Sequence, residues 1–188
     1  MYDAVWYQGN DALQGITTGY TDKTSFRRAR LFARGRAYRD WGYNMTLEFS
    51  DALNNSSKGN PINILQTFIS YSGFRTVQIK AGQFFEPFSL EGADSSNTIT
   101  FMERGLPYTF SPSRSVGVGI SIAPARKVYL EAGGFTNDLN SSNNLKGAFT
   151  GRAAYAPINT KGRTLHFGTG ASYRVPIKNT LRYRARRV

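Results

Sequence analysis

The chain has 188 residues, with 24 Lys and Arg against 12 Asp and Glu, and its formal net charge is +12. This length suits one domain with its own core, and the basic excess is typical of proteins with an anionic partner: nucleic acid, anionic lipid or a small anion. The absence of cysteine excludes disulfides and thiolate chemistry, and the single histidine, His166, excludes a metal centre built from several histidines.

The start of the chain lacks the basic and apolar regions of a signal peptide, and no apolar run approaches the ~18 residues of a membrane-spanning helix. The missing signal is compatible with a soluble protein, a mature form or a fragment. It does not exclude a membrane β-barrel, whose strands are ~10 residues of alternating character.

An arginine-rich segment from Phe26 to Tyr38 follows a possible first strand at residues 4–8. Arginines recur at every second position, with one gap at Phe32, and small or apolar residues stand between them. Residues two apart in a β-strand share a face. The pattern predicts a strand with guanidinium groups on one face: Arg28, Arg30, Arg34 and Arg36, with Arg27 out of phase at its start.

Seven further segments alternate in character and predict strands near 43–52, 63–73, 76–85, 115–122, 128–132, 147–155 and 164–174. One face of each is apolar, and the other carries Gly, Ser, Thr or a basic residue, among them Lys80, Arg152 and Arg174. Short turns are expected at 40–42, 73–75, 123–125 and 159–162, and long connections at 53–62, 86–114 and 137–146. We expect one all-β domain over residues 1–188 with a basic tail at 179–188.

The alternation fits two architectures. In a soluble sandwich the polar faces meet water, whereas in a transmembrane barrel they line the lumen and the apolar faces meet lipid. Strands of ~10 residues, joined alternately by short turns and long loops, favour the antiparallel transmembrane barrel. Candidates for its interfacial girdles, with turn or core packing as the alternative, are Trp6, Trp41, Tyr43 and Tyr71.

Several segments resemble the phosphate-selective porins O and P of Gram-negative outer membranes. They are Phe26–Leu31, Asp40–Tyr43, Leu47–Phe49, Ile79–Glu91, Phe101–Arg104 and Arg114–Gly119. The resemblance implies an outer-membrane barrel of about 16 strands that works as a homotrimer. It also implies that a long loop, here 86–114, folds inward as a constriction and that arginines line the anion path.

About eight or nine strands are expected here, so the chain corresponds to the N-terminal half of such a barrel. Its end, Arg186-Arg187-Val188, lacks the terminal aromatic residue of outer-membrane barrels. It would then close alone, be completed by strands of another chain, or be an incomplete fragment.

Guanidinium groups replace the hydration of an anion with charge-assisted hydrogen bonds, so rows of arginine are suited to selecting anions. We expect a passive anion channel for phosphate or polyphosphate, with no enzymatic activity and no cofactor. Its partners would be small anions and outer-membrane lipid, without nucleic acid. The expected anion-binding or pore-lining residues are Arg27, Arg28, Arg30, Arg34, Arg36, Lys80, Arg104, Arg152 and Arg174.

Two other functions remain open: a basic β-rich module that binds nucleic acid, and a structural barrel that does not conduct. The simpler interpretation of any single arginine is a solvated strand face or an ion pair with Glu48 or Glu131. His166 is expected to be a polar lumen residue. The carboxylates that would anchor the long loop to wall arginines are Glu86, Glu91 and Glu103.

Overall fold

The computed structural model describes residues 2–5, 23–26, 28–54, 61–93, 104–140 and 145–178. Its strands are β1 (Tyr2–Val5), β2 (Lys23–Phe26), β3 (Arg30–Ala37), β4 (Trp41–Glu48), β5 (Asn63–Tyr71), β6 (Val77–Phe85), β7 (Arg114–Ala125), β8 (Val128–Phe135), β9 (Leu145–Thr160) and β10 (Arg163–Pro176). Three single helical turns lie between them: α1 (Ser50–Leu53), α2 (Leu90–Ala93) and α3 (Leu106–Thr109). Among the described helices, none is long and apolar enough to cross a membrane.

Strands β3 to β10 form one antiparallel sheet in which each strand pairs with its neighbours in sequence. Strands β1 and β2 form a separate hairpin. The predicted all-β antiparallel fold is confirmed. Within the described residues the sheet is not closed, because β3 and β10 each pair on one side only.

Short and long connections alternate along the sheet, as expected from the sequence. The short turns at 38–40, 72–76, 126–127 and 161–162 lie at one end, which we call the turn end. The connections at 49–62, 86–113 and 136–144 lie at the opposite end, which we call the loop end. The sheet therefore has the connectivity that is usual in membrane barrels.

Two predicted turns are displaced. The turn expected at 40–42 lies at 38–40, because Ala37 pairs with Trp41 and the hairpin closes with Tyr38 and Arg39 at φ of 48° and 70°. The turn expected at 123–125 lies at 126–127. Strand β7 continues through Pro124. The β7–β8 register shifts between Ile122 and Ala125, so no backbone N–H is needed from the proline to pair with β8.

The prediction that Arg28 lies in the arginine strand is wrong, since β3 begins at Arg30. Its partner strand β4 ends at Glu48, short of the predicted residue 52, and the chain then turns into α1. The amide of Ala29 therefore donates to the Glu48 side chain, at 2.6 Å, instead of to a strand backbone. Arg27 lies outside the described residues, as do residues 6–8 of the expected first strand.

Burial across the sheet is inverted relative to a water-soluble protein. Thr150 is fully buried while its neighbour Phe149 is 61% exposed, and Ser121 is 7% exposed against 58% for Val118. The apolar face consists of exposed side chains such as Trp41, Met45, Ile69, Val118, Ile120, Phe149 and Tyr173. The polar face is the covered one.

The polar face also holds an aromatic cluster near its middle. The ring of Phe84 lies 5.3 Å from that of Phe135 and 6.0 Å from that of Phe68. Gly119 leaves room for this cluster, because a Cβ on it would lie 3.0 Å from the Phe84 ring. The small core of the described chain thus sits inside the curve of the sheet.

Candidate functional site

The first described part of the β6–β7 connection crosses the polar face from β6 to β10. It starts at Glu86, whose side chain is completely buried. One oxygen of this carboxylate accepts from Ser115 Oγ at 2.7 Å, and the other accepts from Thr150 Oγ1 at 2.7 Å and Arg174 Nη1 at 2.8 Å. Glu86 therefore joins the loop to strands on the opposite part of the face.

Two further contacts position this connection, one with the sheet and one within the connection itself. A Cβ on Gly170 of β10 would overlap the carbonyl oxygen of Phe88, so the loop backbone lies directly on the strand. Glu91 Oε1 accepts from the amide of Gly105 at 2.5 Å and ties the two described parts of the connection together.

Arginine and aromatic side chains stack where the β6–β7 connection meets the sheet. Arg114 lies 4.0 Å from the ring centroid of Phe85, and Arg104 lies 4.6 Å from that of Tyr108. Arg114 is also within electrostatic range of Arg30 and Arg104. Its Nε is buried without a hydrogen-bond partner among the described residues.

Three basic residues of the polar face have carboxylate partners. Arg30 Nε lies 2.7 Å from Glu48 Oε2, and Lys80 Nζ lies 3.2 Å from Glu131 Oε1. Arg174 pairs with Glu86 as described above. At these three positions the ion pair neutralises the positive charge locally. The simpler interpretation, an ion pair and not an anion site, therefore applies to them.

Three other arginines have no ion pair within the described part of the chain: Arg34, Arg36 and Arg152. Arg34 and Arg36 are exposed on β3 and line an open groove of about 360 Å³, whose other lining residues include Asp40, Asn44, Ser70 and Gln78. Arg152 lies on β9, opposite Glu131 of β8 and Gly170 of β10.

This arrangement can bind or guide an anion. The guanidinium groups of Arg34 and Arg36 have no ion pair within the described residues, and neutral hydrogen-bonding side chains and Asp40 lie beside them in the groove. On the central strands this face holds buried side chains such as Ser115, Ser121 and Thr150, whereas Arg34 and Arg36 at its β3 edge are exposed. The opposite face is exposed and apolar.

Comparison with known proteins matches residues 4–187 to the family model of phosphate-selective porin O and P. The chain belongs to the phosphate-selective porin O and P family. Porin O from Pseudomonas aeruginosa is 31% identical to it over 160 residues, which are 81% of this chain and 36% of the relative. The chain thus spans about a third of the length of that porin.

The structure separates the basic residues that were singled out from the sequence. Arg34, Arg36 and Arg152 lie on the polar face without ion pairs, whereas Arg104 stands in the loop cluster. Arg28 is half-buried before β3 and does not continue the strand row. The sequence did not single out Arg114, although it begins the resembling segment Arg114–Gly119 next to the long loop and faces Phe85 across the β6–β7 pair.

Sequence reasoning also missed the aromatic cluster of this porin-family sheet. Phe84 is in phase with Lys80 on β6, and its ring lies beside Gly119 of β7. A large residue on a polar face beside glycines on the next strand is the signal that could have found it. Lys80 Nζ lies 5.9 Å from the Phe84 ring, so the cluster also makes a cation–π contact with a basic residue of the polar face.

Proposed function

We propose that the chain forms the wall of an anion-selective outer-membrane channel through which phosphate or polyphosphate diffuses passively. The observation that carries this proposal is the set of unpaired arginines on a polar face whose opposite face is exposed and apolar. A lumen lined by guanidinium groups and a surface in lipid account for both features. The membership in a porin family supports the same conclusion.

The β6–β7 connection would narrow this lumen. It lies on the polar face and is fastened there by Glu86, so anions would pass between the loop and the arginines of β3. The groove beside Arg34 and Arg36 is the part of the face that would receive them. The wall would continue with further strands, from the same or another chain, and three barrels would assemble as a homotrimer.

The channel proposal is tested by conductance in planar bilayers. We expect the purified chain to conduct chloride. Inorganic phosphate should inhibit that chloride current. Replacing Arg34 and Arg36 by Gln should weaken the inhibition by at least about ten-fold, because each guanidinium loses a charge-assisted hydrogen bond to the anion. A pore that prefers cations, or one on which phosphate has no effect, would contradict the proposal.

A non-conducting barrel segment is the second candidate, because β3 and β10 are unpaired edges within the described residues. In that case the chain would enter detergent micelles or lipid bilayers without conducting ions. The number of chains per assembly would distinguish it from a complete channel. A soluble nucleic-acid module fits less well, because its binding face would have to coexist with a water-exposed apolar face. Purification without detergent would favour it.

A further inference from the structure

The four short turns at the turn end carry a concentration of positive charge that the anion path does not use. Each turn or its first flanking residue contributes at least one exposed basic side chain. We call this group the basic collar: Arg39, Arg75, Arg126, Lys127, Lys161 and Arg163. None of its members has an ion pair in the part of the chain that the structure describes.

Carboxylates are distributed in the opposite way. In the four short turns the only described acid is Asp40. Those at the loop end include Glu48, Asp51, Glu86 and Asp138. Basic residues such as Arg30, Arg114, Lys146 and Arg174 also lie at the loop end, so its charges are mixed. The charged residues of the described short turns are almost entirely basic, and the turn end is therefore complementary to an anionic surface.

Aromatic side chains lie directly beside the collar on the apolar face. The rings of Trp41 and Tyr71 are 5.0 Å apart, and that of Phe74 lies 5.6 Å from Tyr71. Trp41 and Phe74 are both exposed. Aromatic residues bordering an apolar surface, with Lys and Arg beyond them, are typical of the level of lipid headgroups.

We propose that the basic collar docks on the anionic headgroups of the phospholipid leaflet at the turn end. The collar continues the apolar face at the point where its strands end, so a lipid that covers this face brings its phosphate to the turns. A free anion in the lumen would not need the aromatic border. The inference rests on the membrane part of the proposed function and does not depend on conduction.

The test compares insertion of the unfolded chain into phosphatidylcholine vesicles with and without phosphatidylglycerol. Tryptophan fluorescence gives the rate, and resistance to a carbonate wash gives the inserted yield. The variant Arg126→Gln/Lys127→Gln removes two collar charges, and Lys146→Gln/Lys178→Gln removes two exposed charges near the loop end as a matched control.

We expect phosphatidylglycerol to accelerate insertion of the wild type and the control. In the collar variant this acceleration should fall by about ten-fold, because each basic residue near an anionic surface strengthens binding several-fold. High salt should abolish the difference.

Equal responses of the two variants to phosphatidylglycerol would overturn the collar proposal. So would a collar variant that changes ion selectivity but keeps the lipid response, because the collar would then belong to the pore mouth. A chain that inserts with this lipid response and conducts nothing would refute the channel alone. A chain that enters neither kind of vesicle would refute both.

Discussion

Two groups of basic residues share the polar face and differ in their partners. Arg30, Lys80 and Arg174 each face a carboxylate, and the Arg174 partner is completely buried. Arg34, Arg36 and Arg152 lack an ion pair within the described residues. Strand β3 carries members of both groups, so the difference between the groups does not reflect the choice of strand alone.

The comparison separates structural charge from functional charge. A paired cation adds little to the field in a lumen, because its carboxylate cancels most of the charge at a distance. An unpaired guanidinium keeps its field and its free hydrogen-bond donors. We therefore expect the paired group to govern stability and the loop position, and the unpaired group to govern selectivity.

The largest loss in the free energy of unfolding is expected at the ion pair between Glu86 and Arg174. Either Glu86→Gln or Arg174→Gln should lower the free energy of unfolding by about 3 kcal/mol, because each leaves the other charge uncompensated in a largely covered site. The partial exposure of Arg174 keeps this value at the lower end of the range for buried pairs. Urea unfolding in lipid vesicles measures it.

Arg152→Gln is the matched control for that experiment, since Arg152 lies on the neighbouring strand and forms no ion pair within the described residues, while Glu131 opposite it is paired with Lys80. Its free energy of unfolding should stay within about 0.5 kcal/mol of the wild type. A loss as large as that of Arg174→Gln would remove the distinction between the two groups.

A paired cation can be converted into an unpaired one by Glu131→Gln. This change removes the partner of Lys80 and weakens the hydrogen bond from Tyr129, which is 2.7 Å long. The anion-to-cation permeability ratio should then rise by about two-fold, because one more positive charge is exposed to the lumen. Bi-ionic potentials would measure the ratio, and a decrease would contradict the comparison.

A smaller loss of stability than at Glu86 is expected at the other described carboxylate of the loop. Glu91→Gln weakens one hydrogen bond, from the amide of Gly105, and leaves no buried charge behind. The cost should be at most about 1 kcal/mol in the same unfolding measurement. A loss in the free energy of unfolding equal to that of Glu86→Gln would mean that Glu86 is not the main anchor of the loop.

The sequence predicted the strands of the sheet well because their alternation is local. Arg34 and Arg36 could be placed on one face from spacing alone, and the structure places them there. The start of β3 was mispredicted because it depends on where β4 ends, at Glu48, which no pattern within the arginine segment records.

The partners of individual charges could not be assigned from the sequence. Glu86 meets Thr150 of β9 and Arg174 of β10 across the polar face, although those residues lie far away in the chain. Periodicity indicates which face a side chain shares but not which carboxylate reaches it. The division into paired and unpaired arginines therefore required the structure.

The reversal potential across a planar bilayer with a potassium chloride gradient tests the central claim most directly. The wild type should be anion-selective, and Arg34→Gln/Arg36→Gln should reduce the permeability ratio by at least about five-fold, because two uncompensated charges are lost. The control Lys80→Gln/Glu131→Gln removes a charge pair, so it should leave the ratio nearly unchanged. Cation selectivity in the wild type, or equal losses in the two variants, would contradict the account.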